Sequence, residues 1–371
     1  MIDAAGPWGT GPFTLTEGYS AISGYSIAFI CAEPFAATWL GAREHRTERV
    51  VLEANDRHWN TERGPRLQKV IYRNDLSPAD ALAAVCDREG EVDIVSEVSP
   101  ADARRVIESR HARIVAIDAM RILVAVINRR PEAAPLDDVR VRQALNYGLD
   151  RDRLVREVLQ GYGTPLAGMT PPWAKGYPEG LQPYAFAPER ARALLAEAGW
   201  PPDRALRLAA PPPLVGIGRW LQAAYYESLR IDVELLQPSE QEFKAWERAL
   251  VEKKLPLPWD MLVHAWFDLT ADAPPAVMHR EFFHTVGAFR AGPPVPEFDQ
   301  LFAEYVQQVD QRRLEEIGAR LDRLAYDGAL ALFLASPQAL YAVNEHVSFV
   351  AHRTTFELAE TEVSEQHWSR R

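Results

Sequence analysis

The stretch NRRPEAAPLDDVRVRQALNYGLDRDRLVREVLQGYGTPLAGMTPP, from Asn128 to Pro172, carries the clearest structural signal in this chain. Its apolar residues recur at steps of three and four, which is the spacing of one face of an α-helix: Val141, Ala144, Leu145 and Leu149. Asp150 then starts a second helical stretch, and Gly161 ends it. The stretch therefore predicts two consecutive amphipathic helices.

Strands and helices alternate on both sides of this stretch. Ser77-Pro78-Ala79-Asp80 has the residues of a helix start, with Ser77 as the N-cap and Pro78 in the first turn, and Ser99 to Asp102 repeats that chemistry. The segment 298–334 is predicted to be mostly helical and 340–349 mostly strand. Runs rich in valine, isoleucine and aromatic residues predict strands at 49–56, 67–75, 90–95, 112–118, 121–128 and 259–267. This alternation predicts a wound α/β sheet.

Composition narrows the class of protein. The 371 residues are 47% hydrophobic and carry a net charge of -11, so we expect no nucleic acid partner, since phosphate binding needs a basic face. Two cysteines, Cys31 and Cys86, are too few for a disulfide scaffold or a four-cysteine zinc site. The residues from Met1 onward show no signal peptide, so the sequence as given predicts a cytoplasmic location.

Six segments, in order, resemble the family 5 solute-binding proteins of bacterial ABC importers, the peptide and nickel type. They are GTGPF (9–13), VLEANDRHW (51–59), ADALAAVCDREGEVDIV (79–95), the stretch 128–172, AFAPERARALLAEAGWP (185–201) and RIDVELLQPSEQEF (230–243). The resemblance implies a two-lobed periplasmic-binding-protein type II-like α/β fold that closes on a small ligand by hinge motion. It also implies a peptide or other small polar solute as ligand, an ABC permease as partner and a periplasmic or extracellular location.

The resemblance also implies a division of the chain. Residues 1–122 are expected to form lobe I, completed by a C-terminal return at 343–371, and residues 123–342 to form the ligand-binding lobe II. Lobe I is expected to be truncated, because the family has a large region before the GTGPF motif. The apolar segment 18–48 is longer than the family's hairpin there, so it is expected either to pack on the protein or to form a homodimer interface.

Candidate ligand-binding residues follow from the same resemblance. Trp266-Phe267-Asp268 ends a predicted strand where the family's peptide binders carry an acidic residue for the ligand's α-ammonium group. Asp268 is the closest match and Asp272 the second, with Trp266 as an aromatic wall. Arg121 begins another strand and has the fork that binds a carboxylate. A solvated loop aspartate and a structural arginine are the alternatives.

Catalysis and metal binding are not expected. There is no G-x-S-x-G motif, and His279 and His284 are spaced five apart, which does not place them on one helix face. We therefore predict no catalytic residues, no metal and no cofactor. Two alternatives to a solute-binding protein stay open: a cytoplasmic enzyme or sensor on the same fold, and an interaction protein that dimerises through residues 18–48.

Overall fold

The computed structural model describes residues 9–18, 47–130, 135–254, 257–268 and 273–371. The chain divides into two compact units. The described parts of unit 1 are residues 9–18, 47–117 and 339–371, and those of unit 2 are 118–130, 135–254, 257–268 and 273–338. Residues 19–46 of the segment 18–48, and Asp272, lie outside the described residues.

Unit 1 contains a three-stranded antiparallel sheet in the order β1-β2-β3. Two further strands, β4 and β5, pair with β11 (Ala331–Asn344), and β4 does so with residues 341–343 of β11. Strand β12 pairs with β13. Its elements are β1 (Phe13–Glu17), β2 (Arg49–Ala54), β3 (Lys69–Arg73), α1 (Pro78–Asp87), β4 (Ile94–Ser96), α2 (Ala103–Ile107), β5 (Ala112–Asp118, whose last residue belongs to unit 2), β12 (Val347–Ser348) and β13 (Glu362–Val363).

Both predicted helix starts of unit 1 carry the expected serine contact. Ser77 caps α1, because its side chain accepts a hydrogen bond from the Asp80 amide. Ser99 does the same for the Asp102 amide, but Asp102 is the residue that precedes the helix, which starts three residues later than predicted. The serine therefore closes a turn there and does not cap α2.

Unit 2 is built on a mixed sheet in the order β9-β8-β10-β6-β11, with β7 also paired to β11. Strand β8 is parallel to β9 and β10, whereas β6 is antiparallel to β10 and β11. Its elements are β6 (Arg121–Ile127), α3 (Val139–Tyr147), α4 (Arg151–Glu157), β7 (Gly163–Pro165), α5 (Pro188–Glu197), β8 (Leu206–Ala209), α6 (Val215–Leu229), β9 (Val233–Leu236), α7 (Glu240–Val251), β10 (Met261–Phe267), α8 (Ala276–Phe283), α9 (Pro296–Tyr305), α10 (Gln311–Asp327) and β11 (Ala331–Asn344, which ends in unit 1).

The stretch that decides the fold forms α3 and α4 and their flanks. Asp138 and Asp150 cap the two helices by accepting hydrogen bonds from backbone amides. Three polar side chains of this stretch are also buried: Arg142, Asn146 and Arg151. Arg142 donates to backbone carbonyls of Leu136, Asp137, Gly328 and Ala329.

Arg151 and Asn146 join these helices to β11. The Arg151 Nε donates to the Phe333 carbonyl at 2.5 Å, and its guanidinium also donates to the Asn146 Oδ1 at 2.7 Å. The Asn146 amide in turn donates to the Ala331 carbonyl at 3.1 Å. Most of the segment 298–334 is helical, as predicted, in α9 and α10, and its last residues, 331–334, begin β11.

Candidate functional site

The register of two neighbouring strands brings three predicted site residues to one end of the unit 2 sheet. Strand β10 runs antiparallel to β6, which places Phe267 opposite Arg121 and Trp266 opposite Ile122. Asp268 follows β10 directly, and its amide donates to the Met120 carbonyl at 2.9 Å. Arg121, Trp266 and Asp268 thus lie at the same strand end, but successive side chains alternate between faces, so Trp266 and Asp268 share one face of the sheet and Arg121 shares the other with Phe267. The second acidic candidate, Asp272, lies outside the described residues.

An aromatic group surrounds Trp266. Its ring lies 5.4 Å from that of Phe289, 6.1 Å from Phe282 and 6.4 Å from Phe267, measured between ring centroids. Phe282 and Phe289 are buried and lie on α8 and the loop after it. The sequence interpretation missed both, although the density of aromatic residues from 282 to 289 was a visible signal. These rings give Trp266 a fixed, apolar support.

His264 extends the same aromatic group into the core. Its ring centroid is 4.2 Å from that of Phe289, and neither ring nitrogen has a hydrogen-bond partner within the described chain. Burial lowers the pKa of His264 from 6.5 to about 3, so the imidazole is neutral near pH 7. The side chain therefore acts as one more aromatic ring.

Asp268 follows Trp266 and Phe267 in the chain and is only 4% exposed. Tyr305 faces it: burial, and secondarily the negative charge of Asp268, raise the pKa of that phenol to about 12. The Tyr305 hydroxyl donates to the Pro274 carbonyl at 3.2 Å, which fixes the ring. A carboxylate among aromatic rings in a dry environment favours an organic ammonium group, through a charge-assisted hydrogen bond and cation–π attraction.

Arg121 is half-buried, and both its backbone amide and its backbone carbonyl form hydrogen bonds. Its amide donates to the Ala119 carbonyl at 2.7 Å, and its carbonyl accepts a hydrogen bond from the Ser336 hydroxyl at 2.8 Å. A guanidinium on a fixed backbone is suited to a carboxylate, because its planar fork matches the two oxygens. The strand end therefore offers an acidic group on one face of the sheet and a basic group on the other.

The histidines discarded as metal ligands have structural contacts. The His279 Nε2 lies 3.2 Å from the Asp322 Oδ1, with both side chains buried, and that oxygen also accepts from the Met169 amide at 2.6 Å. His284 lies 3.7 Å from Asp299. Within the described part of the chain, these histidines do not converge with Glu281 or His264 on one point suited to a metal.

Comparisons with known proteins agree with this architecture. A family model described as bacterial extracellular solute-binding proteins, family 5 Middle, matches residues 3–282. The dipeptide-binding protein of Escherichia coli is 26% identical over 210 residues, which is 57% of this chain and 36% of that protein. None of the described helices is long and apolar enough to cross a membrane.

Two solved structures share the fold. An ABC transporter substrate-binding protein of Listeria monocytogenes, CtaP, superposes with a TM-score of 0.76 at 17% identity, covering 95% of this chain and 66% of that one. A dipeptide-binding protein of Pseudoalteromonas in complex with Met-Leu gives 0.66 at 18% identity, covering 86% and 62%. These matches confirm the predicted α/β fold of type II periplasmic binding proteins. The chain spans less than two thirds of each of these three proteins.

Proposed function

The chain belongs to the bacterial extracellular solute-binding proteins of family 5, and from this membership we propose that it captures a short peptide for an ABC importer. The observation that carries the proposal is the buried Asp268 next to Trp266 on one face of the β6–β10 pair, with Arg121 at the same strand end on the other face. A peptide is a zwitterion, so a site for it needs an acidic group, a basic group and apolar surface between or around them.

In this proposal Asp268 receives the peptide's α-ammonium group. Its carboxylate is shielded from water, which strengthens the attraction to a cation, and Trp266 gives the ammonium an aromatic face. The name of the Pseudoalteromonas relative, a dipeptide-binding protein with bound Met-Leu, supports a ligand of this class. The E. coli relative's name supports the same class.

Arg121 receives a carboxylate of the ligand. A bidentate contact adds affinity and fixes the orientation of that carboxylate. Removing one charge-assisted hydrogen bond costs about 1.5–3 kcal/mol, which corresponds to roughly a 10- to 150-fold loss of affinity.

The proposal is tested by native mass spectrometry of the purified protein, followed by calorimetry with the ligand found. We expect a bound mass in the range of a short peptide, released on denaturation. Asp268→Asn should then lose the bound mass, while Asp232→Asn, a change at an exposed residue before β9, should keep it. A bound solute without an amino group, or equal retention by both variants, contradicts the proposed ligand.

The organisation and partners are part of the same proposal. We propose that residues 1–122 with 343–371 and residues 123–342 are the two lobes of the binding protein. An ABC permease is the proposed partner and the extracytoplasmic side the proposed location, in line with the family's description. Dimerisation through residues 18–48 is a separate proposal, and light scattering of the purified protein tests it.

A further inference from the structure

Four side chains of metal-ligating types lie close together on unit 1, whereas the residues of the proposed solute site belong to unit 2. One potential ligand atom from each of Glu89, His111 and Glu345 lies within 4.8 Å of the other two. His346 adds a fourth: its Nε2 lies 3.6 Å from the Glu89 Oε1 and 3.7 Å from the Glu345 Oε1. Glu89, His111 and Glu345 thus converge, and the His346 imidazole lies beside both carboxylates; the four come from three separate segments of the chain.

A single hydroxyl fixes the first two of these segments. The Ser109 Oγ donates to the Cys86 carbonyl at 2.6 Å and accepts hydrogen bonds from the amides of His111, at 3.0 Å, and Ala112, at 3.2 Å. Cys86 lies in the last turn of α1, three residues before Glu89, and His111 directly precedes β5. The backbones that carry Glu89 and His111 are therefore tied together.

The turn that carries Glu345 and His346 is fixed in the same way. The Glu345 amide donates to the His111 carbonyl at 3.0 Å, and the His346 amide donates to the Asn344 Oδ1 at 2.8 Å. Asn344 is buried and its own amide donates to the Asp93 carbonyl at 2.7 Å. All four side chains therefore project from held backbone, which reduces the entropy that a ligand must overcome.

We propose that Glu89, His111, Glu345 and His346 form a binding site for a divalent transition-metal ion, with Zn²⁺ as its reference ligand. Four donors of this kind match the tetrahedral nitrogen and oxygen coordination that Zn²⁺ accepts. Calcium requires six to eight oxygen ligands and magnesium an octahedral oxygen shell, and this donor set provides neither. Two carboxylates and two neutral imidazoles also balance the charge of the ion.

In this proposal Arg371 competes with the metal ion for the Glu89 carboxylate. Its guanidinium lies 3.2 Å from the Glu89 Oε2, whose side chain is 22% exposed. In the absence of metal this cation pairs with the Glu89 carboxylate in a surface ion-pair network, which contributes little stability. Removal of the arginine side chain should therefore tighten metal binding, whereas it should have no such effect if the group is only an ion-pair network.

The proposal goes beyond solute capture and stands independently of it. No residue of the four belongs to unit 2, which carries Asp268, Trp266 and Arg121. Asp268→Asn should leave metal binding unchanged, so failure of one proposal is distinguishable from failure of the other.

The test is calorimetric titration of Zn²⁺ into untagged protein from which metal has been removed with a chelator. We expect one Zn²⁺ per chain with a Kd below about 10 µM, and visible absorption of tetrahedral Co²⁺ in the same site. His111→Gln and Glu345→Gln should each weaken binding by about tenfold or more. Arg371→Ala should strengthen it. The Glu345 side chain is half-exposed, at 48%, so its replacement should leave folding intact, as circular dichroism checks.

The matched control is His352→Gln, because that imidazole also lies near a carboxylate of unit 1, 3.8 Å from Glu360, but outside the four-residue group. It should bind Zn²⁺ like the parent. The proposal is overturned if the parent binds less than one Zn²⁺ per chain, if the two site variants bind like the parent, or if the control loses binding equally.

Discussion

Glu247 gives a stability prediction whose size can be worked out from the structure. It lies on α7, is 8% exposed, and its Oε1 has no hydrogen-bond partner among the described residues. Burial raises the pKa of this carboxyl from 4.5 to about 8. The folded protein therefore holds the proton more tightly than the unfolded chain, and the stability this provides is present below pH 4.5 and lost as the pH rises toward 8.

A pH of 7 lies about 2.5 units above the unfolded pKa of 4.5, so the folded protein keeps a proton that the unfolded chain has released. The free energy of unfolding is therefore about 3 kcal/mol lower at pH 7 than below pH 4.5. Glu247→Gln removes the titration, because the amide has the shape of the protonated acid. We expect the variant to be about 3 kcal/mol more stable than the parent at pH 7 and about equal to it at pH 4. Urea unfolding followed by circular dichroism at the two pH values measures this.

Glu252→Gln is the matched control at the end of the same helix. The Glu252 side chain is 42% exposed, and hydrogen bonding to Lys254 lowers the pKa of its carboxyl. This substitution should therefore bring no gain at pH 7. The reasoning about Glu247 is refuted if its variant shows no gain at pH 7, or the same gain at pH 4 as at pH 7.

Three further predictions concern the fold and the undescribed segment. Arg151→Met should destabilise the protein by about 3–5 kcal/mol in urea unfolding, because it leaves buried hydrogen-bond acceptors unpaired. Arg153→Met, at an exposed site, should cost less than about 1 kcal/mol. Equal effects of the two substitutions would contradict the role given to Arg151. His264→Phe should stabilise the protein, because the lowered pKa of His264 makes the parent lose stability as the pH falls. The gain in free energy of unfolding should grow by up to about 1.4 kcal/mol for each pH unit below 6.5. A gain that is the same in thermal melts at pH 5 and pH 7 would count against this prediction. Replacing Phe35 and Trp39 together with Ser should lower stability, or convert an oligomer to monomers in light scattering; a variant unchanged in both shows the segment 18–48 to be dispensable.

The positions of the strands were largely predictable, because runs such as 121–128 and 259–267 are rich in β-branched or aromatic residues, which favour strands. Pairing was not: the register that places Arg121 opposite Phe267 depends on contacts far apart in sequence. The prediction that 298–334 is mostly helical did not locate the start of β11 at Ala331, because a short apolar run buried on both faces has no distinguishing period. The burial of Arg142 and Arg151 could not be read from a charged helix face, since carbonyls from distant residues accept their hydrogen bonds.

Residues of both proposed sites that come together only in the folded chain were likewise not predictable from the sequence. A resemblance at the end of a strand singled out Asp268 and Trp266, but not Phe282 and Phe289, whose rings support them from another helix and loop. The Glu89, His111, Glu345 and His346 group had no local spacing to reveal it, because its members come from three segments that only the fold joins.

The most direct test of solute capture is a calorimetric double comparison. A dipeptide and its N-acetylated form are each titrated into the parent and into Asp268→Asn. If Asp268 holds the α-ammonium group, acetylation should weaken binding to the parent by about 10-fold or more and have little further effect in the variant. The account is contradicted if acetylation costs the same in both proteins, or if neither peptide form binds the parent.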